Sequence, residues 1–126
     1  MKRYNPLKAP VAEEWLALSE DDRLALIDAY HRTLRVPPPN LDAHAAFHSI
    51  VENQAALGDE TPVQRTLARL VGEGMNRHDA VHAVASTLAE HMSRLARGVV
   101  SGSDPNAAYF AALERLTEAS WRRDFG

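Results

Sequence analysis

Residues 40–58 read NLDAHAAFHSIVENQAALG, and residues 76–98 read NRHDAVHAVASTLAEHMSRLARG. Each stretch opens on an asparagine, a residue whose side chain can accept a first-turn backbone N–H, and each closes on a glycine. Between those stops, apolar residues recur at helical spacing: Phe47, Ile50, Val51 and Leu57 in the first, Val81, Val84, Leu88, Met92 and Leu95 in the second. An offset of 34 residues superposes His44 on His78, Phe47 on Val81, His48 on His82 and Ile50 on Val84. In both segments the histidines border the same side of the apolar arc, one turn apart, where two imidazoles can reach a common point. The reading is of two amphipathic helices from a doubled pattern, packed side by side with their histidine stripes facing each other.

The rest of the chain carries the same punctuation. A short helix is expected around Val11–Leu18, after a leading arm that contains Pro6 and Pro10. Ser19, with Asp22 three residues on, opens a longer helix in which Leu24, Ile27 and Leu34 repeat and which Pro37-Pro38-Pro39 ends. Thr61-Pro62 opens a fourth helix ending near Gly72–Gly74, and Asp104-Pro105 opens a last one ending near Arg122. Gly98–Ser103 is the one stretch with linker composition. Alanine occurs 21 times and no segment alternates with period two for long. The expected fold is all-α: a compact bundle of five to six helices in one domain spanning 1–126, with a body over 4–97 and a C-terminal helix over 104–123.

With 126 residues the chain can bury about two thirds of its unfolded surface. The net charge of −3 argues against nucleic acid as a partner, since phosphate neutralisation needs a basic surface. Cysteine is absent, which removes disulfides and thiolate metal sites. No apolar run approaches a membrane span and no signal core is evident, so no membrane partner is expected and the expected location is cytoplasmic.

The histidine stripes are the pointed chemical feature. Imidazole suits divalent transition metals such as zinc, and Glu52, one turn beyond His48, extends the first stripe with a carboxylate. The expected ligand set is His44, His48, Glu52, His78 and His82, held between the third and fifth helices as bundle metal sites are. Ser86 replaces the acid at the position matching Glu52. Asp79 and Glu90 project farther round the helix, toward an outer shell at best. His31 follows Asp28 by three residues and reads as a surface or boundary pair, and His91 reads as structural. Gln54 falls inside the apolar arc and is expected to bond across helices, because a buried amide must be satisfied. Trp15 and Trp121 read as packing anchors, Trp121 with an interface as its other use.

Other chemistries fit less well. His78-Asp79 with His44 upstream has the ligand order of HD-domain phosphohydrolases, but that dyad closes an apolar helix whereas this one opens one. His-Glu-x-x-His, the phosphate-binding loop, the dinucleotide fingerprint and the nucleophile elbow are all absent.

Several stretches resemble a family of short bacterial proteins that has no assigned reaction. They are Tyr4-Asn5-Pro6-Leu7-Lys8-Ala9-Pro10, Glu14-Trp15-Leu16-Ala17-Leu18, Tyr30-His31-Arg32, the run from Val51-Glu52-Asn53-Gln54 to Val63, and His78-Asp79-Ala80-Val81-His82-Ala83-Val84. The resemblance covers roughly residues 4–95 and implies a bacterial, cytoplasmic, helical protein without implying an activity. Where members of that family carry Glu after the first histidine of the fifth helix, this chain has Asp79, which preserves the acid.

Two functional readings follow. One is a metal-binding protein, extending to a metal-dependent hydrolase with Glu52 as ligand or base. The other is a non-catalytic helical interaction module, such as a homodimer, in which the histidines are structural.

Overall fold

The computed structural model describes residues 1–99 and 104–125, and among these it contains seven α-helices and no strand. In chain order they are α1 (Ala12–Ala17), α2 (Glu20–Arg32), α3 (Leu41–Ala56), α4 (Val63–Gly72), α5 (Arg77–Ala96), α6 (Ala107–Arg115) and α7 (Glu118–Phe125). A single 3-10 turn, Gly58–Glu60, leads from α3 toward α4. The linker expected over Gly98–Ser103 falls, from 100 to 103, outside the described residues.

The caps work as the side chains suggest. Ser19, Asn40 and Asn76 each accept the backbone N–H three residues on, at 3.1, 3.1 and 2.8 Å. Gly58, at φ 63°, takes the left-handed conformation just past α3, a position a side chain would strain.

Three boundaries differ from expectation. α2 stops at Arg32, well short of the triple proline, where Thr33 folds its hydroxyl back on Tyr30 O at 2.6 Å. α6 begins two residues after Pro105, because the Asp104 side chain first closes a turn onto Asn106 N at 2.9 Å. The single C-terminal helix expected over 104–123 is two, broken at the extended Leu116. The break has a local cause: Thr117 and Ser120 cap each other reciprocally, Ser120 N donating to Thr117 Oγ1 at 3.0 Å and Thr117 N to Ser120 Oγ at 2.9 Å.

α3 is the central element, in contact with α1, α2, α4 and α5. Its two sides serve two apolar clusters. The larger joins Val51 and Ala55 to α4, α5 and α6, with Leu70, Val84 and Leu113 fully buried. The smaller is built on Trp15, Ile27 and Ala45, with Tyr4 of the leading arm laid over it. Trp15 is wholly buried and its indole Nε1–H donates to Asn53 Oδ1 at 2.8 Å. Gln54 bonds across helices, its Oε1 accepting from Tyr109 Oη at 2.8 Å, so the polar residue inside the apolar arc is satisfied. The arc of α5 is buried only as far as Leu88; Met92 and Leu95, expected in the core, are 46% and 40% exposed. No helix among the described residues is long and apolar enough to cross a membrane.

Candidate metal centre

α3 and α5 pack against each other, and their paired histidines meet in the seam between the two apolar clusters. A third helix joins them. His31, near the end of α2, is 1% exposed and places its Nε2 3.0 Å from His44 Nε2. The surface pairing with Asp28 is therefore corrected: Asp28 holds Arg32 at 2.8 Å, and His31 turns inward. His82 Nε2 lies 3.2 Å from His44 Nε2 and 3.1 Å from His48 Nε2. Ring nitrogens of all five residues, His31, His44, His48, His78 and His82, lie within 4.8 Å of one another.

Glu52 is not in that group. Its carboxylate takes two bonds from the Arg77 guanidinium, at 2.7 and 2.8 Å, and one from Tyr4 Oη at 2.5 Å. The side chain is 1% exposed, so this is a buried, bidentate ion pair with every partner accounted for. Arg77 is also pinned to Pro6 O at 3.0 Å, which ties the leading arm to the pair. The expected roles of Glu52 as ligand or base do not fit, because its oxygens are already committed on the far side of His48. Glu90 is engaged by Arg94 at the surface, and His91 bonds Pro105 O at 2.7 Å, a structural contact between α5 and the segment leading into α6.

Hydrogen bonds on the outer nitrogens set the tautomers. His31 Nδ1 sits 2.8 Å from the carbonyl of Ile27, which can only accept, so Nδ1 carries the proton. His48 Nδ1 sits 3.1 Å from Tyr4 Oη, whose single proton goes to Glu52; the imidazole must donate here too. The Nε2 atoms of His31 and His48 therefore present lone pairs to the seam. That leaves His44 and His82 to supply at most two protons to three close nitrogen–nitrogen contacts. Two donors serving both ends would face each other across the 3.2 Å His44–His82 contact. A cation at the centre would satisfy every lone pair instead. His78 adds to the deficit, since its buried Nε2 has no hydrogen-bond partner.

The spacing suits an ion. Zinc at about 2.0–2.1 Å from tetrahedral ligands holds its donor atoms about 3.3 Å apart. The contacts observed, 3.0–3.2 Å, are close to that edge length.

Electrostatics favour the neutral form of His44, His48, His78 and His82. Burial, then the neighbouring imidazoles, lowers the pKa of His44, His78 and His82 from 6.5 to about 4 each. His48, the more deeply buried, is lowered further by the same causes. Burial, then the adjacent Glu52 carboxylate, raises Tyr4 well above the ordinary phenol range, so its hydroxyl keeps its proton. Burial alone would lower Arg77, but its bonds to Glu52 and the carboxylate charge outweigh that and raise it.

Two cavities flank the centre, and they share no lining residue. On the Glu52 side a small one of about 130 Å³ touches Arg77, Ala9 and Pro10. On the other side a cleft of about 430 Å³ is lined by His44, His48 and His82 together with Phe47, Ala85, Ser86, Ala89 and Trp121. Trp121 packs on the larger apolar cluster, as an anchor for α7 should, and its buried indole nitrogen has no partner.

No protein-family model, curated protein or solved structure matches this chain.

Proposed function

We propose that this protein binds one divalent transition-metal ion through imidazole nitrogens drawn from His31, His44, His48, His78 and His82, and that the ion acts on a small substrate entering by the cleft. The observation that carries the reading is the convergence of five imidazoles within 4.8 Å, drawn from three helices, with too few protons to bond one another. An all-imidazole set selects zinc, copper, nickel or iron over calcium or magnesium, which prefer oxygen. It also carries no charge, so a bound dication would keep its full Lewis acidity and activate a water near neutral pH, the chemistry of a metal-dependent hydrolase.

The protein's own residues divide the work. The Ile27 carbonyl orients His31, and Tyr4, backed by the Glu52–Arg77 pair, orients His48. Such outer partners make an imidazole a better ligand by holding its ring and its tautomer. His44, His48 and His82 border the cleft and leave one side of the centre approachable, the arrangement of a working site as opposed to a closed structural one.

Elemental analysis of the untagged protein tests this, beside a His31→Ala/His82→Ala variant. A near-stoichiometric transition metal in the parent, lost in the variant, is the expected result. Absence of metal from the parent after incubation with zinc, copper, nickel and iron would overturn it and leave the histidines a packing role in an interaction module.

A further inference from the structure

The cleft beside the histidines has a composition that selects its occupant. Its walls are Phe47, Ala85, Ala89 and Trp121, its non-histidine polar side-chain groups are the hydroxyl of Ser86 and the indole N–H of Trp121, and no Asp, Glu, Lys or Arg lines it. An anionic group such as a phosphate would find no side-chain cation there. A charged amine would find no carboxylate in the lining, and Glu52, one turn beyond His48, is held by Arg77. Away from the ion, desolvating either charge without a partner is costly. An aromatic or branched aliphatic body meets two aromatic side chains and a floor of alanines, and gains by leaving water. The volume, about 430 Å³, lies in the range of small-molecule pockets.

The doubled pattern explains why space exists on this side. Glu52 and Ser86 occupy matching positions, 34 residues apart. The long acid is filled in by Tyr4 and Arg77, whereas the short serine borders open volume.

Resting on the metal reading above, we infer that the substrate is a small molecule with an uncharged aromatic or branched aliphatic body. Its oxygen or nitrogen head reaches the ion between His44, His48 and His82, while its body lies along Phe47, Ala85, Ala89 and Trp121. Beyond the ion, the lining offers no side-chain partner to a second charged group such as those of nucleotides or amino acids.

The test uses the full chain loaded with cobalt(II), whose visible absorption reports its ligands, and three probes: benzohydroxamate, acetohydroxamate and inorganic phosphate. The two hydroxamates share a metal-binding head and differ only in the body. Benzohydroxamate is expected to shift the cobalt spectrum and to bind on the order of tenfold tighter than acetohydroxamate. Phosphate, which can meet only the ion and gains nothing from the apolar walls, is expected to bind more weakly than benzohydroxamate. Ala89→Phe, which fills the cleft, is expected to erase the tenfold preference, and its cobalt spectrum before probe is added reports that the ion site is intact. Equal affinity for the two hydroxamates, or a preference that survives Ala89→Phe with that spectrum unchanged, would overturn the inference and leave the metal reading standing. A parent protein that takes up no cobalt, zinc, copper, nickel or iron would overturn both.

Discussion

Tyr4 Oη stands 3.1 Å from His48 Nδ1, and through that contact the leading arm reaches the histidine cluster. The phenol proton goes to Glu52, so the imidazole is the donor to Tyr4 and its other nitrogen is left free for the seam. Removing the hydroxyl in Tyr4→Phe leaves the ring packed on Trp15 and takes away both this orientation and one bond to Glu52, which keeps its two bonds from Arg77. Metal affinity is expected to fall about 10- to 100-fold, read by competition against a chelating dye. An unchanged affinity would show that His48 needs no such support.

His31 and His91 are both buried histidines, yet they are expected to behave differently. His31→Ala should weaken metal binding as much as His44→Ala does, because both bring an Nε2 to the same point. His91→Ala should leave the affinity as it is and lower stability by about 1 kcal/mol, since it loses one bond to the Pro105 carbonyl. Calorimetric titration with zinc distinguishes the two.

The Glu52–Arg77 pair gives a stability prediction. Arg77→Met strands a carboxylate that is 1% exposed, and should cost about 3–5 kcal/mol. The double variant Glu52→Gln/Arg77→Met removes the stranded charge and should recover part of that loss. Urea denaturation provides the comparison, and a double variant no more stable than Arg77→Met would count against charge burial as the cause.

Stability of the metal-free protein should depend on pH with a definite sign. His44, His78 and His82 titrate near 4 in the folded chain and near 6.5 once unfolded. Between those values the unfolded chain binds protons that the folded chain refuses. The folded state is therefore most favoured above pH 6.5 and loses ground as the pH falls toward 4. Urea midpoints should decline from pH 7.5 to pH 5, with the decline shallower in a His44→Gln/His78→Gln variant. Equal slopes in parent and variant would assign the pH dependence to other groups.

Much of this arrangement is legible in the sequence because it is local. The caps at Ser19, Asn40 and Asn76 need only the residues three positions on, and the facing of α3 and α5 follows from two apolar arcs of the same hand. Four of the five clustered histidines border those arcs. His31 was hidden because its nearest acid, Asp28, offers a plausible surface partner, and only the approach of α2 to α3 turns the ring inward. Glu52 misled for the opposite reason. Its spacing after His48 is what a ligand would show, and what diverts it, Arg77 and Tyr4, lies 25 and 48 residues away. The break between α6 and α7 did have a local signal, the Thr117-Glu118-Ala119-Ser120 capping sequence, which the apolar periodicity of Tyr109, Leu113 and Leu116 masks.

The cluster draws on α2, α3 and α5, which are separated in the chain by up to 51 residues between His31 and His82. In a chain with no cysteine, an ion held there would be a crosslink: one atom joining three helices. Its strength would be set by free metal concentration in place of redox potential, so that a chelator would loosen this protein as a reductant loosens a disulfide-bonded one.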